Sequence, residues 1–217
     1  MTTLICFALK EEAGPFRKIA DGKPDISVLI VGIGRQNAGK SVRTFLAGVK
    51  GAPPELVITC GFAGGLNPDL KIGDVVYEAP EPSTFNPQPL TRLTAAGARA
   101  AKFFCADRIA TTVAEKSTLR AETGADVVEM ESAAIHAVCR ERGIPCVTVR
   151  VISDTAHEDL PLDFNALAKP DKSLDFGKLF FAIAKSPGKI GALMQLQKKT
   201  SHAANRLAAV LEKVISG

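Results

Sequence analysis

At 217 residues, 46% of them hydrophobic and 23% charged, the chain is long enough for one α/β domain with a full core and short for two. Its formal net charge of +4 is scattered until the C-terminal segment and does not mark a nucleic-acid binder. No apolar run of about 18 residues and no charged leader suggests a membrane span or a signal peptide. Five cysteines, Cys6, Cys60, Cys105, Cys139 and Cys146, lack CxxC spacing and are accompanied by only three histidines. They read as reduced core residues of a cytoplasmic protein, so neither a metal nor another cofactor is expected.

Strands and helices then alternate along the chain. Thr3 to Ala8 reads as a buried strand, and Glu11 to Ala20 as a helix with carboxylates and Pro15 in its first turn, where the dipole and proline geometry favour them. Ile26 to Val31 is a second strand, followed by Gly32-Ile33-Gly34 and a helix through Val49. This turn exposes amides able to hold an oxyanion or a hydroxyl, but Asn37 stands at the third glycine position of a dinucleotide fingerprint. Leu56 to Thr59 is a strand that runs into the loop Cys60-Gly61-Phe62-Ala63-Gly64-Gly65-Leu66. Its glycines imply that backbone approaches something closely, either a ligand or a neighbouring strand.

Gly73-Asp74 turns into a strand through Tyr77, and Pro80 to Pro89 carries four prolines and reads as a loop at the rim of a site. A helix is predicted from about Thr94 to Cys105, a strand near Arg108 to Thr112, and a helix from about Ala114 to Glu122 that Gly124 stops. Val127-Val128-Glu129-Met130-Glu131-Ser132 is a short strand running into a helix that continues to Arg142. If strand geometry holds through the junction, Glu129 and Glu131 share a side, which suits gripping vicinal hydroxyls, with Met130 as an apolar wall. The plainer alternative is that Glu131 favours the positive helix N-terminus.

Cys146 to Asp154 is an apolar, β-branched run with a polar end, as a strand buried on both faces requires. Ligands of such sheets bind at the carboxyl ends of the strands, which places Asp154, Ser153 and Arg150 at a candidate site; capping of a following turn by Asp154 is the alternative. In the tail, Leu193, Leu196, Thr200, Ala203, Leu207, Val210 and Val214 recur at helical spacing, with Lys198, Lys199, Arg206 and Lys213 among the polar residues. The segment 174–217 reads as a helical extension packed on the domain or on a second subunit, or as a basic amphipathic surface touching membrane.

Ala8-Leu9-Lys10-Glu11-Glu12, Gly32-Ile33-Gly34, Gly61 to Leu66 with Gly73-Asp74-Val75-Val76, Glu129-Met130-Glu131 and Arg150 to Asp154 follow one another in an order that resembles the nucleoside phosphorylase superfamily. Within it, the pattern is most similar to the 5'-methylthioadenosine/S-adenosylhomocysteine nucleosidases. The resemblance implies a three-layer αβα sandwich around a mixed, largely parallel twisted sheet, one domain over 1–217, usually assembled as a homodimer. It further implies cleavage of the N-glycosidic bond of a purine nucleoside without a cofactor. By that resemblance Asp154 protonates the leaving base, Glu131 holds the ribose hydroxyls, Met130 lies against the nucleoside, and Glu12 and Arg150 position the attacking water. Glu129, Gly61, Phe62, Ser153 and, in place of the base-stacking aromatic, Val113 complete the expected substrate site.

Phe62 stands where those enzymes have a serine, and the chain between Tyr77 and Thr94 is short. These features resemble, more loosely, the hopanoid-biosynthesis-associated nucleosidase branch, whose implied substrate is an adenosyl-linked lipid. Two alternatives stay open. A phosphorylase would use phosphate as nucleophile, for which Arg35 in the glycine turn is the argument, and a nucleoside-binding protein without turnover would follow from Phe62. The chemistry agrees with these roles: an oxocarbenium-like sugar needs a proton donor at the base and carboxylates near the positive charge. Asp154 can be that donor at neutral pH only if its surroundings favour its protonated form.

Overall fold

The computed structural model describes residues 1–78, 88–167 and 187–215. Strands β1 (Thr3–Phe7), β2 (Ile26–Ile30), β3 (Leu56–Gly65), β4 (Val75–Glu78), β5 (Arg99–Ala100), β6 (Phe103–Cys105), β7 (Val127–Glu129) and β8 (Cys146–Asp154) form one mixed, mostly parallel sheet. Its order is β2-β1-β3-β8-β4-β5. The long central strand β3 pairs with β1 through Cys60, then leaves it and pairs antiparallel with β7 at Gly64 and Gly65. That fork opens a space between the ends of β1, β3, β7 and β8, and the site lies in it.

Alternation along each strand divides the core between two helical layers. Ile5, Phe7, Ile58, Val147 and Val149 face helices α1 (Lys10–Ala20), α3 (Gln88–Ala95) and α7 (Ile190–Ile215), while Leu4, Cys6 and Val57 face α2 (Arg35–Gly48) and α5 (Ser132–Glu141). Among the described residues, α4 (Val113–Thr123) and the short α6 (Phe164–Leu167) lie beside the site, α4 through Lys116 at Asp154 and α6 through Phe164. Among the described residues, no helix is long and apolar enough to cross a membrane.

Four expectations change. The glycine-rich segment after Thr59 is not a loop, because β3 continues through Gly65 in register with β8. A helix precedes Gly97 and does not reach Cys105: Gly97, at φ +92°, ends the turn after α3, and the following residues add two short strands to open sheet edges. Arg108 to Thr112 is not a strand, since the Asn165 side chain takes both backbone groups of Ile109, at 2.9 Å each, and so replaces a strand partner. The Pro80–Pro89 rim lies outside the described residues through position 87, and Gln88 and Pro89 already belong to α3.

The tail follows the packing alternative over its second half, where Ala203, Leu207, Val210, Leu211 and Val214 are buried against α1, α3 and the sheet. In its first half Ile190 and Met194 are exposed. The part of the predicted extension between 174 and 186 lies outside the described residues.

Candidate active site

A cavity of about 360 Å³ lies at the fork, lined by Leu9, Glu12, Phe62, Met130, Glu131, Ser153 and Asp154 together with Ile33, Arg108, Ile109, Leu160, Phe164 and Leu196. Helix α1 supplies Glu12 from its first turn. Its Oε2 accepts from Leu9 N–H at 2.9 Å, which caps the helix, and its Oε1 accepts from Phe62 N–H at 2.9 Å, which ties it to β3. Burial raises the Glu12 carboxyl above its ordinary range, against the pull of these two N–H groups and of Arg150. A carboxylate so placed accepts a proton more readily than one in water.

The glycines in β3 now have reasons. A Cβ at Gly61 would meet Glu12 Oε1 at 2.8 Å, and one at Gly64 would meet Asp154 Oδ2 at 3.2 Å. Gly61 therefore acts by leaving room for Glu12 and does not itself line the cavity. Phe62 does line it, as expected.

Glu129 and Glu131 divide their work differently from the vicinal-diol picture. Glu129 Oε2 accepts from the backbone N–H groups of Glu131 at 3.0 Å and Ser132 at 2.8 Å, and from Arg150 Nη2 at 2.6 Å, while Oε1 accepts from Ser132 Oγ at 2.6 Å. It is the capping carboxylate of α5, and its side chain is fully buried. Burial works to raise it, but Arg150 and these bonds outweigh that and hold it below the usual carboxylate range. The helix-terminal role offered as the alternative for Glu131 falls to Glu129. Glu131 makes no cap; its Oε1 accepts from Gly34 N–H at 2.8 Å, across the molecule at the turn before α2. Its Oε2 lies 3.6 Å from Arg150 Nη2 and faces the cavity, and burial pushes its carboxyl up to about 7.

Arg150 is 1% exposed and lies beneath the cavity, not on its wall. It donates to Thr59 Oγ1 at 3.2 Å as well as to Glu129, which orients the glutamates from below. Asp154 ends β8 with 7% exposure; Oδ1 accepts from Ser153 Oγ at 2.7 Å, and Oδ2 has Lys116 Nζ at 2.6 Å as an ion contact. Val113 is not in the site. The Thr112–Glu115 capping box turns the first residue of α4 outward, where Val113 is 38% exposed and donates its N–H to Asp159. The wall expected from it is built by Arg108, Ile109 and Ala110.

Lys116 was missed because a lysine inside an amphipathic helix pattern reads as solvent-facing. Leu196 and Thr200 were legible as an apolar helix face but not as cavity residues. Arg35 bonds Cys105 and Asp107 and is absent from the cavity wall, which removes the argument it offered for a phosphate site.

A family model described as the phosphorylase superfamily matches residues 10–77 and 98–216. The 5'-methylthioadenosine/S-adenosylhomocysteine nucleosidase of Shewanella oneidensis is 33% identical over 172 residues, covering 65% of this chain and 72% of that protein. The enzyme of the same name from Haemophilus ducreyi is 33% identical over 179 residues, covering 68% and 76%. Among solved structures, futalosine hydrolase of Helicobacter pylori superposes with a TM-score of 0.70 at 19% identity, covering 99% of this chain and 97% of that one. The Neisseria meningitidis 5'-methylthioadenosine/S-adenosylhomocysteine nucleosidase bound to methylthio-immucillin-A gives a TM-score of 0.70 at 17% identity, with 99% of both chains covered. The structures share the fold and the sequence relatives share ancestry: the chain belongs to the phosphorylase superfamily, in the family of the 5'-methylthioadenosine/S-adenosylhomocysteine nucleosidases.

Proposed function

We propose that this chain hydrolyses the N-glycosidic bond of a 5'-substituted adenosine and releases adenine. The observation that carries the reading is the convergence of Glu12, of Met130 with Glu131, and of Asp154 from three separate segments on one cavity at the carboxyl ends of the strands. Asp154 passes a proton to the purine as the C1'–N bond breaks, and the bond's electrons leave with the base. Glu131 accepts from the ribose hydroxyls, and its negative charge stabilises the oxocarbenium-like sugar. Glu12 takes a proton from the water that attacks C1'. Each step uses a side chain whose burial and hydrogen bonds hold it in place.

Water is favoured over phosphate by Glu12 itself, because a buried carboxylate at the nucleophile position repels an anion. The apolar part of the wall, from Leu9, Ile33, Leu160, Phe164 and Leu196, suits an apolar 5' substituent. In keeping with the family resemblance, the reading extends to a cytoplasmic homodimer. Peripheral membrane contact would fall to the exposed Ile190 and Met194 of α7, beside Lys189, and co-sedimentation with anionic vesicles tests it. The activity is tested by incubation with 5'-methylthioadenosine with and without phosphate. Adenine release at a rate indifferent to phosphate is expected; release that requires phosphate would instead make the enzyme a phosphorylase.

A further inference from the structure

Lys116 is 0% exposed and does not line the cavity, yet its Nζ lies 2.6 Å from Asp154 Oδ2. The same Nζ donates to the backbone oxygens of Thr155 at 2.7 Å and Glu158 at 3.0 Å. Burying an ammonium is costly unless its charge is met, and the two carbonyls could be satisfied by a neutral donor. The charged partner is Asp154. We propose that Lys116 is a positioning residue for the general acid: anchored on two carbonyls of the segment after β8, it fixes the Asp154 carboxyl from behind and balances the charge that appears there when the proton leaves. This rests on the assignment of Asp154 as the acid.

The step balances as follows. The Asp154 O–H bond breaks as its proton joins a ring nitrogen of the purine, the C1'–N electrons go to the base, and water bonds to C1' while giving a proton to Glu12. A carboxylate remains on Asp154, 7% exposed, between the Lys116 ammonium and the Ser153 hydroxyl. The ammonium stabilises the carboxylate formed as the proton leaves and, by the same charge, opposes the protonated form from which the reaction starts. Other charges around the pair are already engaged. Glu158 of the following segment is paired with Lys199 of α7, Glu115 of α4 with Arg108, and Arg150 of β8 with Glu129 and Glu131. His157 is exposed.

The test is kcat and KM against pH for wild type, Lys116→Met and Asp154→Asn, with Lys116→Gln as a variant that keeps a donor for the two carbonyls. For Lys116→Met or Lys116→Gln we expect kcat to fall about 10- to 100-fold, KM to stay within about threefold, and the alkaline limb of kcat to move to higher pH. A limb that stays in place, or a loss that merely tracks the folded fraction, would overturn the proposal. In the wild-type protein, which needs no variant to fold, the ¹⁵N resonance of Lys116 Nζ should shift with the midpoint of that limb; a resonance constant across it contradicts the pairing. An Asp154→Asn variant with near wild-type turnover removes the acid assignment and this proposal together. An inactive Asp154→Asn beside an unmoved limb in the Lys116 variants removes only the role of Lys116.

Discussion

The carboxylate of Glu12 occupies the space that Gly61 leaves free: a Cβ at position 61 would come within 2.8 Å of Glu12 Oε1 and 3.0 Å of its Cδ. Gly61→Ala must displace either the β3 backbone or Glu12, and the side chain is the softer of the two. Overpacking of this kind costs about 1–3 kcal/mol of stability. Loss of the aligned base should lower kcat by about 10²-fold with little change in KM. Steady-state kinetics and a thermal melt on one preparation check both. Unchanged kcat would show that Glu12 is not held where the reaction needs it.

Glu131 carries a pH prediction. Its carboxyl is raised from an ordinary 4.5 to about 7, first by burial and then by Glu129 and Glu12, against Arg150 and the Gly34 N–H. The folded state holds this proton more firmly than the unfolded chain. Its stabilising contribution is therefore complete below about 4.5 and lost as pH rises through about 7. Substrate acts in the opposite direction, because the ionised form is the better acceptor for ribose hydroxyls. KM for ribosides should fall as pH rises through about 7. Glu131→Gln should flatten that dependence and raise KM about 10-fold while leaving free adenine binding unchanged. Equal losses for riboside and adenine would put Glu131 elsewhere.

Glu129 and Glu131 should separate cleanly in stability. Glu129→Gln leaves Arg150 buried with its nearest counter-charge at 3.6 Å, on Glu131, and should destabilise the fold by about 3–5 kcal/mol. Glu129 is held below the usual carboxylate range, so its contribution is present above its unfolded value and is lost as pH falls through the folded one. Denaturant melts of both variants at neutral pH check the contrast. Equal losses would mean that Arg150 does not depend on Glu129.

Much of this site could be read from the sequence because its chemistry sits at strand ends and first helical turns. Glu12, Met130, Glu131, Ser153 and Asp154 all stand at such junctions and all reach the cavity. Residues that act across the fold left weaker local signals. Nothing near Glu129 in the sequence shows that its partner is Arg150, 21 positions away. Lys116 looks like any lysine of an exposed helix face until the strand end is placed beside it. Val113 is instructive in another way, since Thr112 and Glu115 form a capping box that sequence could have revealed and that fixes Val113 as an outward first residue.

The 5' side of the substrate should lie against Leu196 and its apolar neighbours. Each methylene buried there contributes about 0.8 kcal/mol, so kcat/KM should rise from methylthioadenosine toward adenosines with longer apolar 5' chains. Removing residues 187–217 does not test this, because Leu207 and Leu211 of the same helix are fully buried in the core. Leu196→Ala is the better probe. It should diminish the gain from chain length and leave methylthioadenosine nearly unaffected. A flat response to chain length in the wild type would leave the lipid-like substrate without support.

The central claim, that Asp154 protonates the departing base, is tested most directly by Asp154→Asn measured under single turnover with 5'-methylthioadenosine, alongside the dissociation constant of a nucleoside analogue that cannot be cleaved. Asparagine keeps the shape and loses the transferable proton. The account predicts a loss of about 10²- to 10⁴-fold in the cleavage rate with binding of the analogue nearly unchanged. A cleavage rate close to that of the wild type would contradict it.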